Sequence, residues 1–228
     1  MPTAPRAHHS TIPHPGWPEI LIATGIYVLG ISLLGYWMLQ QPGETGNFPI
    51  NVAGAVNFGV GLAALLAAYG LRVRNWQAFG FRPTTFGWAA ICILLGVVGF
   101  GLIFAVEAIY FHVITAMNTQ ADFQAAAKSG IGSLLMLLFT GAVLGPIGEK
   151  LVFRGVVQTG LRKYRHWVAL FGSSLMFAAI HGPSVIFVNA FVMGLVFGAV
   201  YQLSGAIWIA ILLHVTYNGL NLVWYSEM

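Results

Sequence analysis

The sequence is short of charge. Of its 228 residues 7% are Asp, Glu, Lys or Arg, against about a quarter in an average soluble domain. A chain this poor in charge cannot clothe itself in a solvated surface, which excludes an ordinary soluble globular domain. Its one cysteine, Cys92, lies inside an apolar run, so a disulfide framework and a thiolate metal cluster are both excluded. No HExxH is present, so the most compact zinc-hydrolase motif is missing. The first 18 residues lack the apolar core of a secretory signal peptide and are rich in Pro and His. Residues 1–18 are expected to form a flexible tail in which His8, His9 and His14 are solvated rather than ligating. Basic residues outnumber acidic ones, ten to six, but form no contiguous stripe, which argues against nucleic acid as a partner.

Apolar residues make up 58% of the chain, at a mean hydropathy of +0.80. Their runs are long and closely spaced, and about 20 apolar residues suffice for one crossing. The expected fold is all-α: a polytopic transmembrane helical bundle of about seven crossings (six to eight), over residues 19–228, embedded in lipid. The segments read as Ile20 to Leu39, Ile50 to Leu71, Trp88 to about Ile114, Ile131 to Leu161, Trp167 to His181, Ser184 to about Leu203, and Ala206 to Trp224. Pro146 removes a backbone donor within the fourth and predicts a kink or break there. Gly182-Pro183 and Ser204-Gly205 are tight connections that make the last three segments antiparallel neighbours. Between segments two and three, Arg72, Arg74 and Arg82 interleave with Trp76, Phe79 and Phe81, as suits a stretch lying along a membrane surface. The polar loop near Phe123 has room for a short interfacial helix. Gly194 and Gly198 form a small-xxx-small face for close helix packing. Basic residues fall in alternate loops (Arg6; Arg72, Arg74 and Arg82; Arg162, Lys163 and Arg165), which predicts a cytoplasmic N-terminus.

Against this background GPIGEKLVFRG, Gly145 to Gly155, stands out, because it sets Glu149, Lys150 and Arg154 in an apolar run. A charge at mid-membrane costs at least about 2.5 to 3.5 kcal/mol. On a regular helix Glu149 and Arg154 lie about 140° apart, so Glu149 can face a cavity while Arg154 pairs with a backbone carbonyl or another acceptor, or reaches the interface. A purely structural set of buried charges is the alternative. His181 closes the fifth segment, one helical turn after Phe177. His214 and Asn218, four apart in the seventh, face the same way. Glu107 with Tyr110 marks either a substrate-channel group or an interfacial carboxylate at a helix end. Asn189 reads as interhelical glue.

Two chemistries suit Glu, His and His plus Asn delivered from separate segments. In one, Glu149 is general base to a water that His181 shares or orients, while His214 and Asn218 donate to an oxyanion. In the other, Glu149, His181 and His214 hold zinc with a fourth position open. A transporter would need a matching set in the first half of the chain, and none is there.

These residues resemble the CPBP intramembrane proteases, the CAAX protease and bacteriocin-processing family. The family pattern EExxxR followed by Gly corresponds to Glu149-Lys150-Leu-Val-Phe-Arg154-Gly155, FxxxH to Phe177 through His181, and HxxxN to His214 through Asn218. FGFRP, after the second segment, is similar to the family's stretch before a helix. The resemblance implies a membrane-embedded glutamate-type peptidase with its core at about residues 131–224. Its substrate would be a hydrophobic or lipid-linked peptide or protein, and its setting a bacterial inner membrane. It also implies that Glu149 and His181 activate water and that His214 and Asn218 stabilise the oxyanion. Lys150 departs from the pattern, standing where the family has a second Glu. An ammonium beside Glu149 favours the ionised carboxylate and weakens it as a base, although Lys150 can snorkel away. A catalytically impaired member that binds a peptide or partner, as an immunity or chaperone-like protein would, follows as the alternative.

Overall fold

The computed structural model describes residues 13–41, 47–114 and 120–228. The tail positions Arg6, His8 and His9, and Glu44 of the first connection, lie outside them. The described residues are helical with short connections and no strand. They form α1 (Trp17–Leu39), α2 (Phe48–Val73), α3 (Phe86–Val113), α4 (Ala121–Lys128), α5 (Ile131–Leu161), α6 (His166–Ala179), α7 (Val185–Ser204) and α8 (Ile207–Glu227). Six of these helices are long and apolar enough to cross a membrane, and the chain forms an integral membrane bundle. The seventh expected crossing, α6, has 14 residues. At about 1.5 Å per residue it spans about 21 Å, short of a bilayer core of about 30 Å. His181 lies just beyond its end, in the turn that leads to α7. Trp17 to Glu19, assigned to tail and flank by sequence, open α1.

Arg72 and Lys163, from two different connections, meet the start of α1 at one end. Glu19 at the start of α1 accepts from Nε and Nη2 of Arg72, at 2.6 and 2.9 Å. The Trp17 indole donates to the Tyr164 hydroxyl at 2.6 Å, and the Lys163 ammonium lies over both rings. Gln202 near the end of α7 donates to the carbonyl of His166 at the start of α6, so these helices run antiparallel, as expected. The stretch around Trp76 is not simply laid on a surface. Phe79 is fully buried, Tyr69 stacks on Trp76, and Ile207 at the head of α8 donates to the Gly80 carbonyl at 2.8 Å. The loop near Phe123 does hold a short helix, α4, anchored by Ala126 and Ala127.

Pro146 does not break α5. The helix stays continuous from Ile131 to Leu161, and its hydrogen bonding slips to an i→i+5 register over Leu138–Leu144 and again over Leu151–Gln158. Such widened turns absorb the donor that proline lacks and recur at functional sites. Alongside, α2 runs parallel to α5, with Asn47 donating to Ser133, the Thr140 hydroxyl to Asn51, and Asn57 to Glu149. The two backbones touch where Gly61 crosses Gly148: a Cβ on Gly61 would collide with the Gly148 backbone. On the opposite side Gly194 and Gly198 let α7 close on α6, as their spacing predicted; a Cβ at Gly194 would meet Ser174 at 3.1 Å.

Candidate active site

Glu149 sits between the two widened turns of α5, one residue after the Gly61–Gly148 crossing. It faces a cavity of about 340 Å³ whose lining is largely apolar and which also receives His181, His214 and Asn218. Four side chains predicted from three segments therefore share one space. Asn57 of α2 donates to Glu149 Oε1 at 3.2 Å and is itself held by the Tyr27 hydroxyl of α1 at 2.6 Å. The other oxygen, Oε2, lies 3.6 Å from His214 Nδ1 and 3.7 Å from Lys150 Nζ. All three of these atoms are buried, and none has a hydrogen-bond partner among the described residues. Two nitrogens thus approach Glu149 Oε2 to just beyond hydrogen-bond distance.

His181 Nδ1 is 2.9 Å from the carbonyl oxygen of Phe177. A carbonyl only accepts, so Nδ1 carries the proton and donates. Nε2 is left with its lone pair, the form that accepts from a water. Phe177 is thus more than a spacer: its carbonyl fixes the His181 tautomer, and its buried ring packs edge-on to both His181 and His214. Asn218 donates through Nδ2 to the Gly141 carbonyl at 3.3 Å, which engages one of its two N–H groups.

Lys150 does not snorkel. It is fully buried, with Nζ 4.0 Å from the centre of the Phe177 ring and 4.6 Å from that of Phe197. A helix that continues on both sides of Lys150 inside the bundle leaves its stem no path to an interface. Arg154 is also fully buried, and it takes the carbonyl option. It donates to the Gly194 carbonyl at 2.8 Å, to Ser173 Oγ at 2.7 Å and to Gln158 Oε1 at 3.1 Å. Gln158 repeats the pattern one turn on, donating to the Gly198 carbonyl at 2.8 Å. The glycines of α7 leave these carbonyls uncovered, and Arg154 with Gln158 ties α5 to α6 and α7 behind the cavity.

Glu107 of α3 lines the cavity and accepts from Asn189 Nδ2 of α7 at 2.7 Å. It faces inward, and Asn189 makes the interhelical contact foreseen. The zinc arrangement fares differently. No group of three His, Cys, Asp or Glu side chains among the described residues is placed to hold a metal ion. The ammonium of Lys150, 3.7 Å from Glu149 Oε2, is also an unfit neighbour for a second cation on that oxygen. Glu149, His181 and His214 do not fit a zinc site. Two residues that build this site escaped the sequence reading, Tyr27 and Asn57. Asn57 carried a usable signal, a polar side chain within an apolar crossing, one turn before Gly61; Tyr27 carried none.

No curated protein and no solved structure matches the chain. Residues 131–220, which contain Glu149, Phe177, His181, His214 and Asn218, match the family model described as type II CAAX prenyl endopeptidase, Rce1-like, in agreement with the motifs read from the sequence.

Proposed function

We infer that the protein is an intramembrane endopeptidase in which Glu149 and His181 activate a water and His214 and Asn218 hold the oxyanion. One observation carries this reading: all four side chains face a single, mostly apolar cavity. Glu149 takes a proton from the water as its oxygen attacks the peptide carbonyl carbon. His181 Nε2 accepts the water's second hydrogen bond and fixes its direction. The carbonyl oxygen becomes an oxyanion and receives the unbonded Nδ1–H of His214 and the spare N–H of Asn218. Glu149 then passes its proton to the amide nitrogen as the C–N bond breaks. Each such donor is worth about 3 to 4 kcal/mol in a dry site. Arg154 and Phe177 position the helices and the His181 ring.

The substrate in this reading is a hydrophobic or lipid-linked peptide that reaches the cavity from the bilayer. The test is cleavage of a quenched membrane peptide by detergent-purified protein and its Glu149→Gln, His181→Ala, His214→Ala and Asn218→Ala variants. Each of the four variants should lose at least about 100-fold in kcat/KM. Full activity in Glu149→Gln would sink the mechanism. A second reading, a peptide-binding member without hydrolysis, draws on the buried Lys150 ammonium beside Glu149, a partner that quiets a base. Its signature is an inert wild type that gains cleavage on Lys150→Glu.

A further inference from the structure

The cavity continues past Asn218. Away from the basic end of the bundle it adjoins a second cavity of about 250 Å³, and Glu107, Asn221 and Tyr225 line both. Glu107 comes from α3, which lies outside the matched segment and gives no residue to the chemistry above. Among the described residues no Lys, Arg or His side chain forms an ion pair with it. Its one hydrogen bond there comes from Asn189. Asn189 in turn is 5% exposed, lines the cavity, and has an Oδ1 with no hydrogen-bond partner. A carboxylate at the junction of the cavities and an amide oxygen beside it thus lie, among the described residues, without a cation to satisfy them. A carboxylate in a membrane span persists where it has a partner or a role.

The group that answers two such acceptors carries positive charge and several N–H donors. Lys ammonium has three and Arg guanidinium five. Its distance from the reaction follows from α8. His214, Asn218 and Asn221 line one side of the cavity, and seven residues from His214 to Asn221 rise about 10 Å at ~1.5 Å each. An extended peptide covers that in about three residues at ~3.3 Å per residue. We propose that Glu107 and Asn189 form a specificity subsite for a Lys or Arg side chain of the substrate, about three residues from the scissile bond. The proposal rests on the endopeptidase reading for its bond, and on Glu107 and Asn189 alone for its charge preference.

Binding separates the two. Short Leu/Ala peptides, each with a single Lys at a different position, are set against norleucine copies. Their Kd is measured on detergent-purified Glu149→Gln protein, and their kcat/KM on protein with Glu149 intact. At one position Lys should tighten binding at least about tenfold over norleucine. Glu107→Gln should abolish that gain and leave the norleucine peptides unchanged, and Asn189→Leu, which removes the amide oxygen at nearly constant volume, should reduce it. Lys binding no better than norleucine at every position overturns the subsite, as does a gain that survives Glu107→Gln in monodisperse protein. A Glu107-dependent gain in binding without any cleavage keeps the subsite and removes the endopeptidase reading.

Discussion

Replacing Arg154 with Met tests how the site is held. Met follows Arg only as far as Nε and carries no charge, so the substitution deletes three hydrogen bonds and vacates the space of the guanidinium head between α5, α6 and α7. Two of the three are interhelical, to Ser173 Oγ at 2.7 Å and the Gly194 carbonyl at 2.8 Å. Interhelical hydrogen bonds in membrane proteins average about 0.6 kcal/mol and reach about 1.7, and bonds from a charged group reach about 1.5 to 3. The pair is therefore worth about 2 to 5 kcal/mol. Removing the charge also removes the cost of burying a guanidinium, which offsets part of that loss. The net expectation is a loss of about 1 to 3 kcal/mol for Arg154→Met. Arg154→Lys should lose at least as much, because a buried ammonium cannot reproduce the planar fork. Thermal or SDS unfolding in detergent measures the stability. Peptide cleavage measures what the clamp does for Glu149, one widened turn away, where a displacement of about 1 Å costs about 100-fold. A Met variant as stable and as active as wild type would refute the argument, and a Lys variant that restores both would show that charge alone matters.

Asn57→Ala removes the donor to Glu149 Oε1 and should lower kcat/KM about tenfold, with stability changed by less than about 1 kcal/mol; equal activity would take Asn57 out of the site. Gly80→Ala should destabilise by about 1 to 3 kcal/mol, because Gly80 has φ +87° and a Cβ there would meet the Tyr201 hydroxyl at 2.5 Å; Tyr201→Phe in the same chain should recover part of the loss, read as Tm. In a Cys92→Ala background, cysteines at Arg82 and Lys163 should react with an impermeant thiol reagent from one side of sealed vesicles and a cysteine at Lys128 from the other, since the connections after α2 and α5 share one end of the bundle and α4 lies before α5 begins; labelling of all three from one side would overturn that arrangement.

Much of the fold was legible because each crossing announces itself by length and hydropathy, and because tight Gly-Pro and Ser-Gly connections leave little freedom of arrangement. What could not be read was how a helix responds to a missing donor. Pro146 predicts a break in an isolated chain, but α5 is packed on several sides, and shifting the hydrogen-bond register is less costly there than leaving carbonyls unpaired. The motif residues were legible for a different reason: Glu149, His181, His214 and Asn218 are polar groups in an apolar phase, and their spacing puts His214 and Asn218 on one face whatever the neighbouring helices do. Asn57, Glu107 and Asn189 obey the same rule of scarcity. Yet pairing Asn57 with Glu149 needs the Gly61–Gly148 crossing, which sets α2 against α5 at one level. Lys150 marks the limit of that reasoning. From sequence its stem has an exit along the helix surface; in the bundle, Phe177 and Phe197 hold the ammonium by their ring faces, 4.0 and 4.6 Å away. Cation–π contacts of this kind are worth about 2 kcal/mol or more when desolvated. The two rings come from α6 and α7, so the position of that charge beside Glu149 is decided by the same pair of helices that Arg154 ties to α5.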